Sequence, residues 1–319
     1  MKKRIFIVLL FTLAFASLSV LVIPIRISSQ QQISVNLPIT EVSPEIIDLR
    51  NWVKWFPDLA KADSSDINYS HNDSTLRFGG LTLNKNKSNP AYIELTKNIN
   101  KTITDYSIQL LPDSFGFGTQ INWSAQTDLL SWLKSKFSGR NIRSELNNNV
   151  NAFRLFAENP KLFFGFNIQV TPVEDTLVMT DYATCKKSEM ITTLKSLYRK
   201  LEKLAGKNNA YIDSPGKRLA AFALKGRDSI IVMAGFPVQK KLSSHQGIFY
   251  LEMPSRGKML VGDYVGPYQG IHELYKSMDR YVRIRSLSKI ATPFEKYLTS
   301  PITASDSLHM KIKLFYPIL

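Results

Sequence analysis

The chain is poor in the residues that most catalytic and metal chemistry requires. Its 319 residues hold one cysteine, Cys185, which excludes an intrachain disulfide and a thiolate metal cluster. The four histidines, His71, His245, His272 and His309, are dispersed without metal-ligand spacing. His272-Glu273 does not open a zinc helix, because Lys276 stands where the second histidine belongs. No Gly-x-Ser-x-Gly elbow occurs, and Cys185 has no evident base beside it in sequence. No metal, no cofactor and no catalytic residue is therefore assigned. Acid is scarce as well: 26 Asp and Glu stand against 41 Lys and Arg, a formal charge of +15. Residues 1–26 carry four basic residues and no acidic one, which leaves +11 for the remainder. Such an excess suits anionic lipid headgroups or acidic ligands, or is simply a basic surface.

Charge is missing altogether from Ile5 to Ile25, 21 residues behind the basic cap Met1-Lys-Lys-Arg4. At about 1.5 Å per helical residue the run matches the roughly 30 Å of a bilayer core. The positive-inside rule keeps Lys2, Lys3 and Arg4 cytoplasmic and exports the chain beyond Arg26. Ala14-Phe-Ala16 is a small-x-small site of the kind that ends a cleavable signal peptide, but apolar residues continue past it through Val20 and Ile23. We read residues 1–27 as a membrane anchor, with a signal peptide as the alternative. No lipobox-like cysteine succeeds the apolar run. The expected location is the cell inner membrane, single-pass, with the rest of the chain on the extracytoplasmic side. No helix-turn-helix is evident, so nucleic acid is not an expected partner.

What is present is a repeat. Phe164-Gly-Phe-Asn-Ile-Gln-Val-Thr-Pro-Val-Glu-Asp-Thr-Leu-Val-Met-Thr-Asp-Tyr182 returns without a gap 82 residues later, so that Gly165 falls on Gly247, Pro172 on Pro254, Asp181 on Asp263 and Tyr182 on Tyr264. In each copy a β-rich run turns at the proline, returns as a second strand and meets an amphipathic helix. The first helix carries Leu194, Leu197, Leu201 and Leu204 on one stripe; the second carries Ile271, Leu274, Tyr275, Met278 and Val282. A strand pair succeeds each: Leu219–Leu224 with Ser229–Phe236, and Phe294–Leu298 with Leu308–Tyr316. A strand-helix-strand-strand order thus occurs twice, and two such units side by side leave a cleft at their junction.

The region before it, 32–159, begins with the alternating Ile33-Ser-Val-Asn-Leu-Pro-Ile and a helix read from Ser43 as N-cap and Pro44 at its first position. Short alternating runs come next at Thr75–Leu83, Ala91–Thr96, Thr102–Leu110 and Gly116–Trp123, and Phe115-Gly-Phe-Gly118 reads as a strand start. A long helix closes the region, with Ile142, Leu146, Val150, Phe153 and Phe156 at helical spacing. This order, with Ile33-x-Val35, Trp52-x-x-Trp55-Phe-Pro57 and the strand ending at Trp123, resembles the START-like superfamily of polyketide cyclase and lipid-transfer domains. The resemblance implies a helix-grip fold with an apolar cavity, and Trp52, Trp55 and Trp123 as its lining. The alternative is that these three are ordinary core aromatics.

In the second region, 161–319, Gly262-Asp-Tyr-Val-Gly-Pro-Tyr268, Pro293-Phe-Glu-Lys-Tyr-Leu-Thr-Ser-Pro301 and Ile312-Lys-Leu-Phe-Tyr-Pro-Ile318 resemble the gyrase-inhibitor-like effector-binding domain. The resemblance implies a cleft for amphipathic, often cationic aromatic compounds. It places Glu295 at the base, Tyr264 and Tyr268 at the edge, and Tyr182 and Tyr297 at matching positions of the repeat and of the Glu-x-Tyr segment. The first copy departs from the pattern, with Ala183-Thr-Cys185 where the second has Gly-Pro-Tyr268. From spacing alone, Glu295 reads instead as a surface residue paired with Lys296 or Lys313, and the tyrosines as core.

The expected class is α+β: a transmembrane helix, a START-like domain and a duplicated effector-binding domain. The expected function is capture of a small amphipathic molecule for sensing, sequestration or transfer, and a sensor without an output domain would need a protein partner. The alternative is a hydrolase or cyclase-like enzyme in one of the two cavities, with Glu295 and Tyr264 as base and proton donor.

Overall fold

The structure is a computed structural model, and it describes residues 25–60, 62–70, 72–113, 117–207, 218–242, 247–254, 256–299 and 309–319. Among these no helix is long and apolar enough to cross a membrane. The uncharged run proposed as an anchor lies, apart from Ile25, outside the described residues, as do His71, His245, Phe115 and Gly116. The class is mixed α+β with two antiparallel sheets. The chain divides between Asn159 and Pro160 into two compact units.

The first unit runs β1 (Arg26–Val35), α1 (Ile39–Ile47), β2 (Asn68–Tyr69), β3 (Thr75–Phe78), β4 (Leu81–Asn89), β5 (Tyr92–Ile99), β6 (Thr102–Pro112), β7 (Thr119–Asp128), α2 (Leu129–Phe137) and α3 (Ile142–Glu158). Its seven strands are ordered β1-β7-β6-β5-β4-β3-β2. Strict alternation makes the sheet two-faced: on β7, Thr119, Ile121, Trp123, Ala125 and Thr127 are buried, while the intervening Gln120, Asn122, Ser124 and Gln126 are not. Asn100 and Lys101, both at positive φ, form the two-residue turn that joins β5 to β6. The buried face of α3, with Leu146, Val150, Phe153 and Phe156, packs against β1 and β7.

Three local expectations change. The first strand starts at Arg26, well before Ile33, because ten consecutive residues pair with β7. The first helix starts after Pro38 and holds Pro44 inside it. Ser43 does not cap it; its Oγ donates to the Pro90 carbonyl at 2.6 Å, tying the helix to the β4–β5 turn. Helix α2, capped by Asp128, has no counterpart among the sequence expectations, because so many of its apolar side chains remain exposed.

The second unit runs α4 (Pro160–Phe164), β8 (Ile168–Pro172), β9 (Leu177–Lys186), α5 (Met190–Lys207), β10 (Arg218–Leu224), β11 (Ser229–Pro237), β12 (Phe249–Glu252), β13 (Lys258–Gly266), α6 (Ile271–Ile284), β14 (Phe294–Tyr297) and β15 (Met310–Ile318). The eight strands are ordered β12-β9-β11-β10-β14-β15-β13-β8. Exchanging the two copies reverses this order into itself. The runs before Pro172 and Pro254 do not fold back on their own succeeding strands: β8 pairs with β13 and β12 with β9, so each copy lends its first strand to the other. Helix α5 packs on β9 and β11 and α6 on β13. Gly262 of β13 lets α6 approach, since a Cβ there would stand 2.7 Å from Leu274 Cδ1 and 2.9 Å from Met278 Sδ.

Gly262→Ala is accordingly expected to destabilise the second unit by about 1–3 kcal/mol through overpacking. Denaturant titration checks it, and an unchanged midpoint would mean that α6 is not seated on this glycine.

Candidate functional site

Strand β14 contributes the central side chain. Alternation along Phe294–Tyr297 turns Glu295 and Tyr297 to the helix-bearing face and Phe294 and Lys296 to the other. Glu295 sits at the seam between the two copies, directly opposite Ala220 of β10 and Leu314 of β15. It is 1 % exposed. Tyr297 donates to Oε2 at 2.5 Å, Tyr275 to Oε1 at 3.0 Å and Tyr268 to Oε1 at 3.4 Å. The rings of Tyr268 and Tyr297 stack with centroids 6.5 Å apart. Lys296, on the opposite face, pairs with Asp175 at 2.8 Å, so the surface ion-pair reading of Glu295 is set aside.

Burial dominates the electrostatics and pushes Glu295 up from an ordinary 4.5 to about 7, against the lowering effect of the three phenolic hydrogen bonds. The phenols respond in kind: Tyr268, Tyr275 and Tyr297 are all raised, first by burial and then by the neighbouring carboxylate. Tyr198 of α5, whose hydroxyl donates to the Leu219 carbonyl at 2.9 Å, is raised by the same two causes. Among the described residues, every hydrogen bond to this carboxyl thus comes from a neutral donor. Such surroundings suit either a carboxylic acid or a carboxylate with a cation alongside.

The other predicted positions separate. Tyr264 is buried on the same face, but its hydroxyl donates to the Pro267 carbonyl and fills the space that Gly266 and Gly270 leave free. It secures the turn that carries Tyr268. Tyr182 lies on the opposite face of the sheet, half exposed, against Phe249 at 5.5 Å. That face also bears an apolar cavity of about 270 Å³ lined by Val178, Leu219, Ala221, Ile231, Met233 and Phe294 among others. Tyr275 stands in the sequence only as part of a helical stripe; a phenol on a face due for burial needs a partner for its hydroxyl, and that is the signal that could have singled it out.

In the first unit Trp52, Trp55 and Trp123 do come together, but as packed core. Trp52 lies 4.8 Å from Trp55 and 5.9 Å from Trp123, and Phe56 and Phe153 close the group. Trp52 and Trp55 donate to the Ile46 and Glu45 carbonyls, whereas the buried Trp123 Nε1 has no partner among the described residues. Beside them lies a charge to which nothing in the sequence pattern pointed. Lys97 succeeds Ile93 and Leu95 on the inward face of β5 and is 1 % exposed. It binds both Asp58 and Glu145, and Glu145 also accepts from Tyr106 at 2.8 Å.

No family model matches the chain, and no curated protein matches it. Among solved structures, the chain is similar to the EcmrR C-terminal domain at 14 % identity and TM-score 0.39, covering 48 % of this chain and 98 % of that one. A hydrolase from Listeria innocua is similar at 14 % identity and TM-score 0.36, over 48 % and 91 %. SAV2435, solved bound to tetraphenylphosphonium, is similar at 11 % identity and TM-score 0.35, over 48 % and 93 %.

Two outcomes are expected from the buried charges. Because folded Glu295 keeps its proton to about 7 and the unfolded residue releases it near 4.5, its contribution to stability is complete below pH 4.5 and is lost as pH rises through 7. The full span is on the order of 3 kcal/mol. Denaturation of wild type and Glu295→Gln across pH 4–8 measures it, and the variant should lack this fall. Lys97→Met should cost about 3 kcal/mol at neutral pH, read by denaturant titration, because it leaves Asp58 and Glu145 side by side without the cation they share.

Proposed function

We propose that the chain is a membrane-anchored, exported binding protein whose second unit captures small amphipathic molecules, preferring aromatic cations, for sensing, sequestration or transfer. The observation that carries this reading is Glu295: a buried carboxyl whose protein partners are all neutral phenols. A cation placed beside it supplies the charge that the protein withholds, and Tyr268 and Tyr297 offer ring faces worth about 0.5–2 kcal/mol each. Tyr268, with the longest of the three bonds and a place in the short turn before α6, is the phenol that gives way as a ligand enters. We assign the second unit to the effector-binding type on its motifs and its self-reversing strand order. The first unit is assigned to the START-like type on its strand order and long closing helix, with an interior occupied by tryptophan. A protein partner would carry any signal onward.

The alternative, a hydrolase or cyclase-like enzyme, draws on the same carboxyl, because a group that titrates near 7 beside phenols suits general acid–base work. Calorimetric titration of the full chain with tetraphenylphosphonium, beside a neutral aromatic of similar size, tests the proposal. Affinity for the cation is expected to fall about tenfold per pH unit below 7, as protons compete for Glu295. Glu295→Gln should abolish that pH dependence and weaken the cation selectively. Equal affinity of wild type and variant would refute the assignment, and ester turnover lost in the variant with binding unchanged would favour the enzyme.

A further inference from the structure

Helix α2 leaves large apolar side chains in solvent at one end of the first sheet. Leu130, Leu133 and Phe137 are 58, 37 and 90 % exposed. Their spacing puts them along one side of the helix. Ile103, 43 % exposed, joins them: its N–H donates to Ser131 Oγ at 3.3 Å. Trp132 lies beneath Lys136 Nζ, 4.7 Å from the ring centroid. Basic residues surround this patch in Arg26, Lys101, Lys134, Lys136 and Arg140. The acidic ones beside it are engaged, Asp128 accepting from the Ser131 N–H at 2.8 Å and Asp105 from Thr96 at 2.7 Å.

The position of this patch names its occupant. Strand β1 begins at Arg26, the residue after the uncharged run ends, so no linker separates that run from the sheet. Arg26 pairs directly with Asp128, the cap of α2. The helix therefore begins about 5 Å, one strand spacing, from the point where the run ends. Leucine and phenylalanine on one side, with lysines and a lysine-covered tryptophan on the flanks, is the composition of helices that lie at the boundary of headgroups and acyl chains. A nine-residue helix would bind such a surface weakly alone, but tethering at this distance makes its contact nearly intramolecular.

We propose that α2, with Ile103, is a second membrane contact that rests on an anionic lipid surface and holds the first unit against the bilayer. The inference relies on residues 1–27 being a membrane anchor, as in the proposed function.

The test uses the full chain in vesicles of phosphatidylglycerol and phosphatidylcholine, with Cys185→Ser and a single bimane-labelled cysteine. Phe137→Cys reports on α2. Phe117→Cys reports on the opposite end of the sheet, where Thr119 pairs with Val35 and Phe117 is also exposed. Doxyl-labelled lipid is expected to quench the label at 137 several-fold more than at 117, and less so after Lys134→Glu with Lys136→Glu. Equal, weak quenching at both positions in chains that sediment with the vesicles would overturn the α2 contact and leave the anchor standing. Failure to sediment would remove the anchor and this inference with it. Disulfide-linked dimers of the unlabelled Phe137→Cys chain, with no quenching, would assign the patch to a second copy and overturn it as well.

Discussion

Pairing of β10 with β14 is the constraint on which the second unit depends. Four residue pairs, from Arg218–Tyr297 to Ala221–Phe294, join two copies of the same motif into one sheet. The strand order reads the same from either edge, so each copy's helix covers its own strands and the seam lies between them. Glu295 lies in that seam. Its register sets it opposite the small Ala220, and the second copy supplies Tyr268, Tyr275 and Tyr297 around it. The first copy has no Gly-Pro-Tyr turn; β9 continues as strand through Cys185 to Lys186. The symmetry of the backbone thus frames an asymmetric site.

Lys97 and Glu295 are buried in opposite ways, and the difference separates a structural group from a candidate site. Lys97 is held by two carboxylates, one of which also accepts from a tyrosine, so its charge is answered within the fold. Glu295 receives only neutral donors. Phenolic hydrogen bonds stabilise a carboxylate but do not cancel its charge, and desolvation wins, which is why the acid persists to about pH 7. Among the described residues, Glu295 is thus a buried carboxyl at the seam whose donors are all neutral.

Much of the architecture was legible in the chain. The repeat announced the doubled sheet, and the spacing of Leu146, Val150, Phe153 and Phe156 announced α3, because periodicity is a local property that burial merely confirms. The exchange of β8 and β12 between copies was not legible: a proline between two strands looks the same whether the chain turns back on itself or crosses to its neighbour. Helix α2 was hidden because its pattern lacks a consistently buried face. Lys97 was hidden because a lysine within an alternating strand gives no sign of the two carboxylates, 39 and 48 positions away in the chain, that make its burial tolerable.

The site divides along the same line. The sequence by itself determined that Glu295 and Tyr297 share one face of a strand and that Tyr264 precedes a Gly-Pro-Tyr turn, since strand alternation and turn chemistry are set by neighbours in the chain. Only the tertiary structure decided that Tyr264 would secure the turn instead of meeting the carboxyl, that Tyr182 would face the other side of the sheet, and that Tyr275 would reach Glu295 from a helix. Hydrogen-bond partners and desolvation depend on which segments pack together, and that is settled by long-range pairing that no short window of residues contains.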